Sequence, residues 1–335
     1  MTRHATIIGT GSYLPETTMT NADLERMIDT SAKWITSRTG IHERHVVAEN
    51  ETTSDLAARA AAMAIARAGV GLDAIDLLLL GTTSPDYIMP STACMTQAKL
   101  GLSCPAVDLM AACSSFVYAL QAGAAAIESG RADTVLVIGA EALTRLVDFT
   151  DRSTCVLFGD GAGAVVLGVS DEPGVEAIVL GADGSGAEQL IIPSGGAASP
   201  MTVDGAAARQ QFVKMNGGEV FKFAVRVIPR VTTEVLAQSG HTLDELAWLI
   251  PHQANKRIID TIGERLAIDP ERVYLNVGRT GNTSAASIPL ALDDLYTGGR
   301  LRPGDLIALV GFGAGLTWGA ATVRWTMPVP DKGGS

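Results

Sequence analysis

Four cysteines in 335 residues, with no C-x-x-C pair and only five histidines, set the first limits on this chain. Cys94, Cys104, Cys113 and Cys155 have no spacing suited to a disulfide-stapled scaffold, and without clustered histidine no metal site is expected. Charge is scarce, and what there is leans acidic. A net charge of −11 and a pI near 4.9 exclude the basic footprint of a nucleic-acid binder and any general attraction to anionic membranes. Long hydrophobic runs are few. Leu109–Ile127 is uncharged and long enough to span a bilayer, but Ser114, Ser115, Gln121 and Gly123 make it a buried strand-to-helix passage. Ala5–Ile8, behind Arg3 and His4, is far shorter than the apolar core of a secretory signal, so a soluble, cytoplasmic protein is expected.

What the chain has is apolar bulk, 47% of it, enough for one large domain or two of ordinary size. Its two halves echo one another. Ala74–Thr82 and Leu246–Ala254 are apolar runs suited to buried strands, each ending in a polar turn. Val107–Leu109 ahead of Cys113 resembles Val273–Leu275 ahead of Asn282. Thr134–Glu141 matches Asp305–Phe312, and the strand-like segments Ala164–Val169 and Ala320–Trp325 follow. Helical patterns intervene at Thr53–Ala68, Ser114–Ser129, Glu219–Ser239, Asn255–Leu266 and Ser284–Tyr296, the last with Pro289 in its first turn or kinking it. Alternation of this kind predicts an α/β protein with mainly parallel sheets, a duplicated α/β/α/β/α stack. A helix as apolar all round as Ser114–Ser129 must be covered on every side. The divide falls near Asp171–Gly174, giving halves 1–172 and 173–335 around one shared core. Asp331–Ser335 reads as a disordered tail.

Two glycine motifs are set aside. Gly9-Thr10-Gly11 lacks the third glycine of a dinucleotide fingerprint, and Gly159-Asp160-Gly161-Ala162-Gly163-Ala164 runs into a strand where that fingerprint needs a helix. Three other segments carry chemistry: Ala111-Ala112-Cys113-Ser114-Ser115-Phe116, Pro251-His252-Gln253-Ala254-Asn255, and Gly281-Asn282-Thr283-Ser284-Ala285-Ala286-Ser287. Each lies where an apolar strand gives way to a helix, the end of a sheet where ligands collect. Cys113 would open a helix whose N-terminus lowers the thiol pKa. Singly, His252 could be structural and Asn282 a helix cap; together they point to nucleophilic catalysis.

These segments resemble the β-ketoacyl-acyl-carrier-protein synthase III family of the thiolase-like superfamily. The resemblance runs from Ile8–Pro15 through Trp34-Ile35, Arg38–Ile41, Phe158–Gly163 and Asn216–Lys222 to Gly313–Gly319. It implies Cys113, His252 and Asn282 as the catalytic set, with no cysteine beyond Cys155 to form the pair of a thiolase. It further implies a ping-pong condensation of an acyl-coenzyme A primer with malonyl-acyl-carrier protein, initiating fatty-acid synthesis without metal or redox cofactor. The backbone N–H groups of Cys113 and Ala314 would hold the oxyanion. Trp34 and Arg152 would sandwich the adenine of coenzyme A, with Arg38 nearby and Gly217 and Asn255 along the pantetheine arm. The family commonly has a bulkier polar residue where Gly218 stands. Lys214, Lys256, Arg257 and Arg265 would form a basic rim for the acidic carrier protein. Phe158, Leu143 and Met89, the last reaching from the partner subunit of a homodimer, would bound the acyl pocket, and the flexible methionine suggests chains longer than acetyl. Specialised condensing relatives (quinolone-type condensation, acyl-chain joining, acyl transfer), a cysteine hydrolase and a non-catalytic scaffold are the alternatives, the scaffold disfavoured by the intact set.

Overall fold

The computed structural model describes residues 2–330, so the tail at Asp331–Ser335 lies outside the described residues. Nine strands form two sheets. In the first, β1 (His4–Tyr13), β2 (Leu77–Gly81), β3 (Ala106–Leu109), β4 (Thr134–Glu141) and β5 (Gly161–Ser170) lie in the order β1-β5-β4-β2-β3. In the second, β6 (Val175–Ala182), β7 (Leu246–Pro251), β8 (Leu306–Gly313) and β9 (Thr317–Arg324) lie in the order β6-β9-β8-β7. The same spatial order therefore occurs twice. In each sheet one strand, β5 or β9, runs against the others and all the rest share one direction.

Burial on both faces explains the near-continuous apolar strands. Val135 and Val137 of β4 face one core, and Leu136, Ile138 and Ala140 face another. The first core takes in the helices α2 (Ser115–Glu128) and α5 (Ser287–Thr297) together with Ile307 and Leu309 of β8, so these two helices are the central layer between the sheets. The helix α1 (Thr53–Ala68) covers the outer face of the first sheet, with Ala57, Ala60, Ala61 and Ala64 turned inward. On the second sheet, α3 (Gly217–Gln238) and α4 (Lys256–Leu266) do the same. The expected five-layer α/β/α/β/α stack is thus present.

Two details depart from the sequence reading. Val273–Leu275 forms no strand and only Val273 pairs, in a single bridge to Leu249. The long N-terminal strand β1 was passed over because only Ala5–Ile8 of it is uniformly apolar; its glycines, Gly9 and Gly11, lie against the backbone of α1. Pro289 is the third residue of α5, where a missing N–H costs nothing. All four cysteines are free, and among the described residues no helix is long and apolar enough to cross a membrane.

The two halves of the stack meet through bare glycine. A Cβ on Gly139 of β4 would stand 2.2 Å from the carbonyl oxygen of Ala285, whereas one on Gly184 would meet nothing within 4 Å. Gly139→Ala is expected to cost about 3 kcal/mol by overpacking, and Gly184→Ala to stay within about 0.5 kcal/mol of wild type. Urea unfolding midpoints check this, and equal midpoints would contradict the close seam.

Candidate active site

Cys113 lies in a single turn, Ala112–Ser114, between β3 and α2. The turn is sharp: Ala112 has φ of +49°, and Ser115 clamps it by accepting the Ala111 N–H at 2.8 Å and donating to the Ala112 carbonyl at 2.7 Å. The end of β8 packs on this turn, since a Cβ on Gly313 would lie 2.6 Å from the Cys113 nitrogen. Only glycine permits that approach.

His252 follows β7, its N–H donating to Val310 at 2.7 Å. Its Nδ1 lies 2.6 Å from the Ser287 hydroxyl, which also accepts the Gln253 N–H at 3.4 Å. The tautomer in which Ser287 donates to Nδ1 puts the N–H on Nε2. Phe312 packs edge-on to the imidazole, with ring centroids 5.4 Å apart. Asn282 is held by its backbone to Leu157 (2.8 Å) and Gly159 (3.0 Å). Its Oδ1 accepts the Ser284 N–H at 2.9 Å, so the amide NH2 stays free.

Cys113, His252 and Asn282, which arise from three distant segments, all line one cavity of about 630 Å³. Burial governs its electrostatics. The Cys113 thiol is pushed up to about 12 by desolvation, with the Ser284 hydroxyl pulling the other way and the charge of Glu141 adding to the rise. Burial thus works against the expected activation by the helix, and α2 itself begins only at Ser115, two residues beyond the thiol. Desolvation lowers His252 to about 3, so its imidazole is neutral at physiological pH.

Trp34, Arg38, Arg152, Gly217 and Asn255 line the same cavity, as does Gly218. The Arg152 guanidinium stacks on Trp34 at 5.2 Å and donates to Asp29 at 3.1 Å. The two are in contact with each other, so a base between them requires Arg152 to swing away. Asn255 caps α4 by accepting the Arg257 N–H at 2.8 Å, and donates to Arg38 at 3.2 Å.

The expected basic rim is dispersed. Arg257 lines the cavity and lies over Phe221 at 5.9 Å. Lys256 is paired with Asp260 at 2.6 Å, Lys214 lies 3.8 Å from Asp148, and Arg265 donates to Val225 at 2.8 Å beside a separate groove. Phe158 is on the cavity wall and pairs through its backbone with Asn282, but Leu143 is buried in a cluster behind it. Met89 is 85% exposed, and Ala314, in the turn after β8, is replaced on the wall by Gly313. Sequence reading passed over Ser287 and Phe312, the partners of His252. Ser287 stood in the quoted Asn282 segment, but only folding shows it turned toward the imidazole.

The chain was compared with known proteins. Residues 107–184 match the family described as 3-Oxoacyl-[acyl-carrier-protein (ACP)] synthase III, and residues 236–325 match its C-terminal counterpart. The chain is 52% identical to Beta-ketoacyl-[acyl-carrier-protein] synthase III of Xanthomonas axonopodis pv. citri, across 96% of this chain and 98% of that one. The corresponding crystal structure from Thermus thermophilus superposes with a TM-score of 0.90 at 48% identity, covering 96% and 99% of the two chains. That from Aquifex aeolicus superposes with 0.89 at 46%, covering 96% and 100%.

A thiol titrating near 12 carries little thiolate at neutral pH. Iodoacetamide alkylation of Cys113 in the free protein is expected to rise about tenfold per pH unit from 7 to 10, followed by peptide mass spectrometry with exposed Cys94 as internal reference. A plateau below pH 8 would show a thiol already activated at rest.

Proposed function

The chain belongs to the 3-oxoacyl-[acyl-carrier-protein] synthase III family, and from that premise we propose how its cavity carries out the family's reaction. The protein is an acyl-transferring condensing enzyme that initiates fatty-acid synthesis. The observation that carries the residue assignment is the meeting of Cys113, His252 and Asn282, from segments far apart in the chain, on one enclosed wall.

In the first half-reaction Cys113 attacks the carbonyl of a short acyl-coenzyme A. Its sulfur–carbon bond forms as the bond to coenzyme A breaks, and the thiol proton ends on the departing coenzyme A. The Cys113 N–H, with a second donor from the 313–315 turn, holds the tetrahedral oxyanion. Gly313 carries the β8 backbone against the Cys113 nitrogen and Ala314 supplies the second N–H. Trp34, Arg152 and Arg38 receive the nucleotide end, with Gly217 and Asn255 beside the pantetheine.

Malonyl-acyl-carrier protein enters next, guided by Arg257 at the cavity wall. As carbon dioxide leaves, the electron pair passes into the malonyl thioester carbonyl. The His252 Nε2–H and the Asn282 NH2 donate to that oxygen. The dry, neutral imidazole suits this task, because a fixed donor in low dielectric stabilises developing charge without itself giving up a proton. The enolate carbon then attacks the acyl-Cys113 carbonyl, the carbon–sulfur bond breaks, and the β-ketoacyl product departs as the Cys113 thiolate takes up a proton from water. Thioester exchange and decarboxylation need no metal or redox cofactor. A cytoplasmic location is the one this proposed reaction calls for, since it consumes coenzyme A thioesters and carrier protein.

The reading of the chain as halves 1–172 and 173–335 is supported by the repeated strand order and by the turn between β5 and β6. A homodimer is supported by an exposed apolar face: Tyr87, Ile88 and Met89 are 60%, 89% and 85% exposed, and Met110, close in sequence to Cys113, is 71% exposed. In that dimer Met89 closes the partner's acyl pocket against Phe158, with Leu143 behind it.

Asn282→Ala and His252→Ala are expected to lower malonyl decarboxylation by at least about 100-fold while retaining acylation by acyl-coenzyme A to a greater extent. Carbon dioxide release and intact-protein mass, with Cys113→Ala as the blank, separate the two halves. Normal decarboxylation in either variant would refute the assignment.

A further inference from the structure

Glu141 takes no part in the reaction above, yet it is fully buried beside the nucleophile. It ends β4, and the groups around its carboxylate are donors. The Thr83 N–H and hydroxyl lie at 3.1 and 2.9 Å, the Ser84 hydroxyl at 2.6 Å, the Thr82 hydroxyl at 3.3 Å and the Ala285 N–H at 3.4 Å. Ser84 accepts the Ala142 N–H at 2.8 Å, which turns its own proton toward Glu141. Packing alone would be served as well by an apolar side chain.

The internal repeat shows what this carboxylate replaces. A constant offset of 172 positions carries Ala112 to Ser284, Cys113 to Ala285, Ser115 to Ser287, Gly139 to Gly311 and Glu141 to Gly313. Both turns begin on a left-handed residue, with φ of +49° at Ala112 and +45° at Ser284. Both are met by a strand glycine of the opposite half: a Cβ on Gly139 would strike the Ala285 carbonyl, and one on Gly311 would lie 3.2 Å from the Cys113 carbonyl. At the first turn the strand end is Gly313, against the Cys113 nitrogen, and the space beyond belongs to substrate. At the second turn the equivalent N–H, that of Ala285, points at Glu141.

We propose that Glu141 permanently fills the second half's copy of the oxyanion site and is thereby a positioning residue for Asn282. By holding Ser284 and Ala285 it fixes the Ser284 N–H that grips Asn282 Oδ1, and so keeps the Asn282 NH2 aimed into the cavity. The inference rests on the assignment of Asn282 to decarboxylation.

Glu141→Gln keeps the shape but turns an amide NH2 onto donors, leaving at least one without a partner. For the purified enzyme we expect the malonyl-decarboxylation kcat to fall roughly 10- to 100-fold. KM for malonyl-acyl-carrier protein and the rate of Cys113 acylation should stay within about threefold. Wild-type decarboxylation would overturn the proposal. So would parallel losses in both half-reactions with a lowered melting temperature, the mark of a purely structural role. Should the glutamine variant not fold, Glu141→Asp draws the carboxylate back from the Ala285 N–H and so cuts the same path, and the same split is required of it. Asn282→Ala run alongside separates the failures. Normal decarboxylation there removes the Asn282 reading and this inference with it; an inactive Asn282→Ala beside a normal Glu141→Gln removes this inference alone.

Discussion

Two sharp turns are each pressed against a strand of the other half, and the rest of the molecule is arranged to make that contact. Gly139 lies on the carbonyl of Ala285, Gly311 on that of Cys113, and Gly313 on the Cys113 nitrogen. Backbone approaching backbone this closely leaves no room for a side chain, and the central helices α2 and α5 start from these same turns. The five layers, the shared core and the cavity beside Cys113 follow from that crossing.

The repeat is symmetric in backbone and asymmetric in chemistry. One turn carries a thiol and faces open space; the other carries Ala285 and faces a carboxylate. Strand pairing sets His252 of the second half opposite the place that Gly81 holds in the first, for Gly81 pairs with Gly139 just as Pro251, one residue before His252, pairs with Val310, one before Gly311. The two frames are equivalent in backbone, and the differences between them leave one of them open onto the cavity that Cys113, His252 and Asn282 line.

Much of this was readable from residue order. The apolar runs Leu77–Leu80 and Thr134–Ala140 read as buried strands, and the stretch Ser114–Ile127, without a charged residue, reads as an inner helix. Three polar motifs at the ends of such strands fixed where chemistry would gather. What was hidden depends on folding. The thiol of Cys113 reads as activated when only its helix is considered, and is pushed up once the cavity wall closes over it. Lys214, read as part of a docking rim, has a partner that sequence spacing did not disclose, Asp148, distant from it in the chain. Glu141 looked like the end of a strand because nothing in Thr134–Glu141 says what its last side chain will meet.

The distance along the chain between Cys113 and Gly313 has a consequence for how the protein is made. The ribosome delivers the nucleophile 200 residues before the strand end that packs against it, and β8 can be laid into its sheet only when nearly all the chain has emerged. Until then Cys113 stands at the end of a finished first sheet, but without the cavity wall that Phe312 and Gly313 of β8 supply. Chemistry is therefore withheld from the nascent chain, and a protein cut short by even its last two strands would contain the reactive residue and no means of using it.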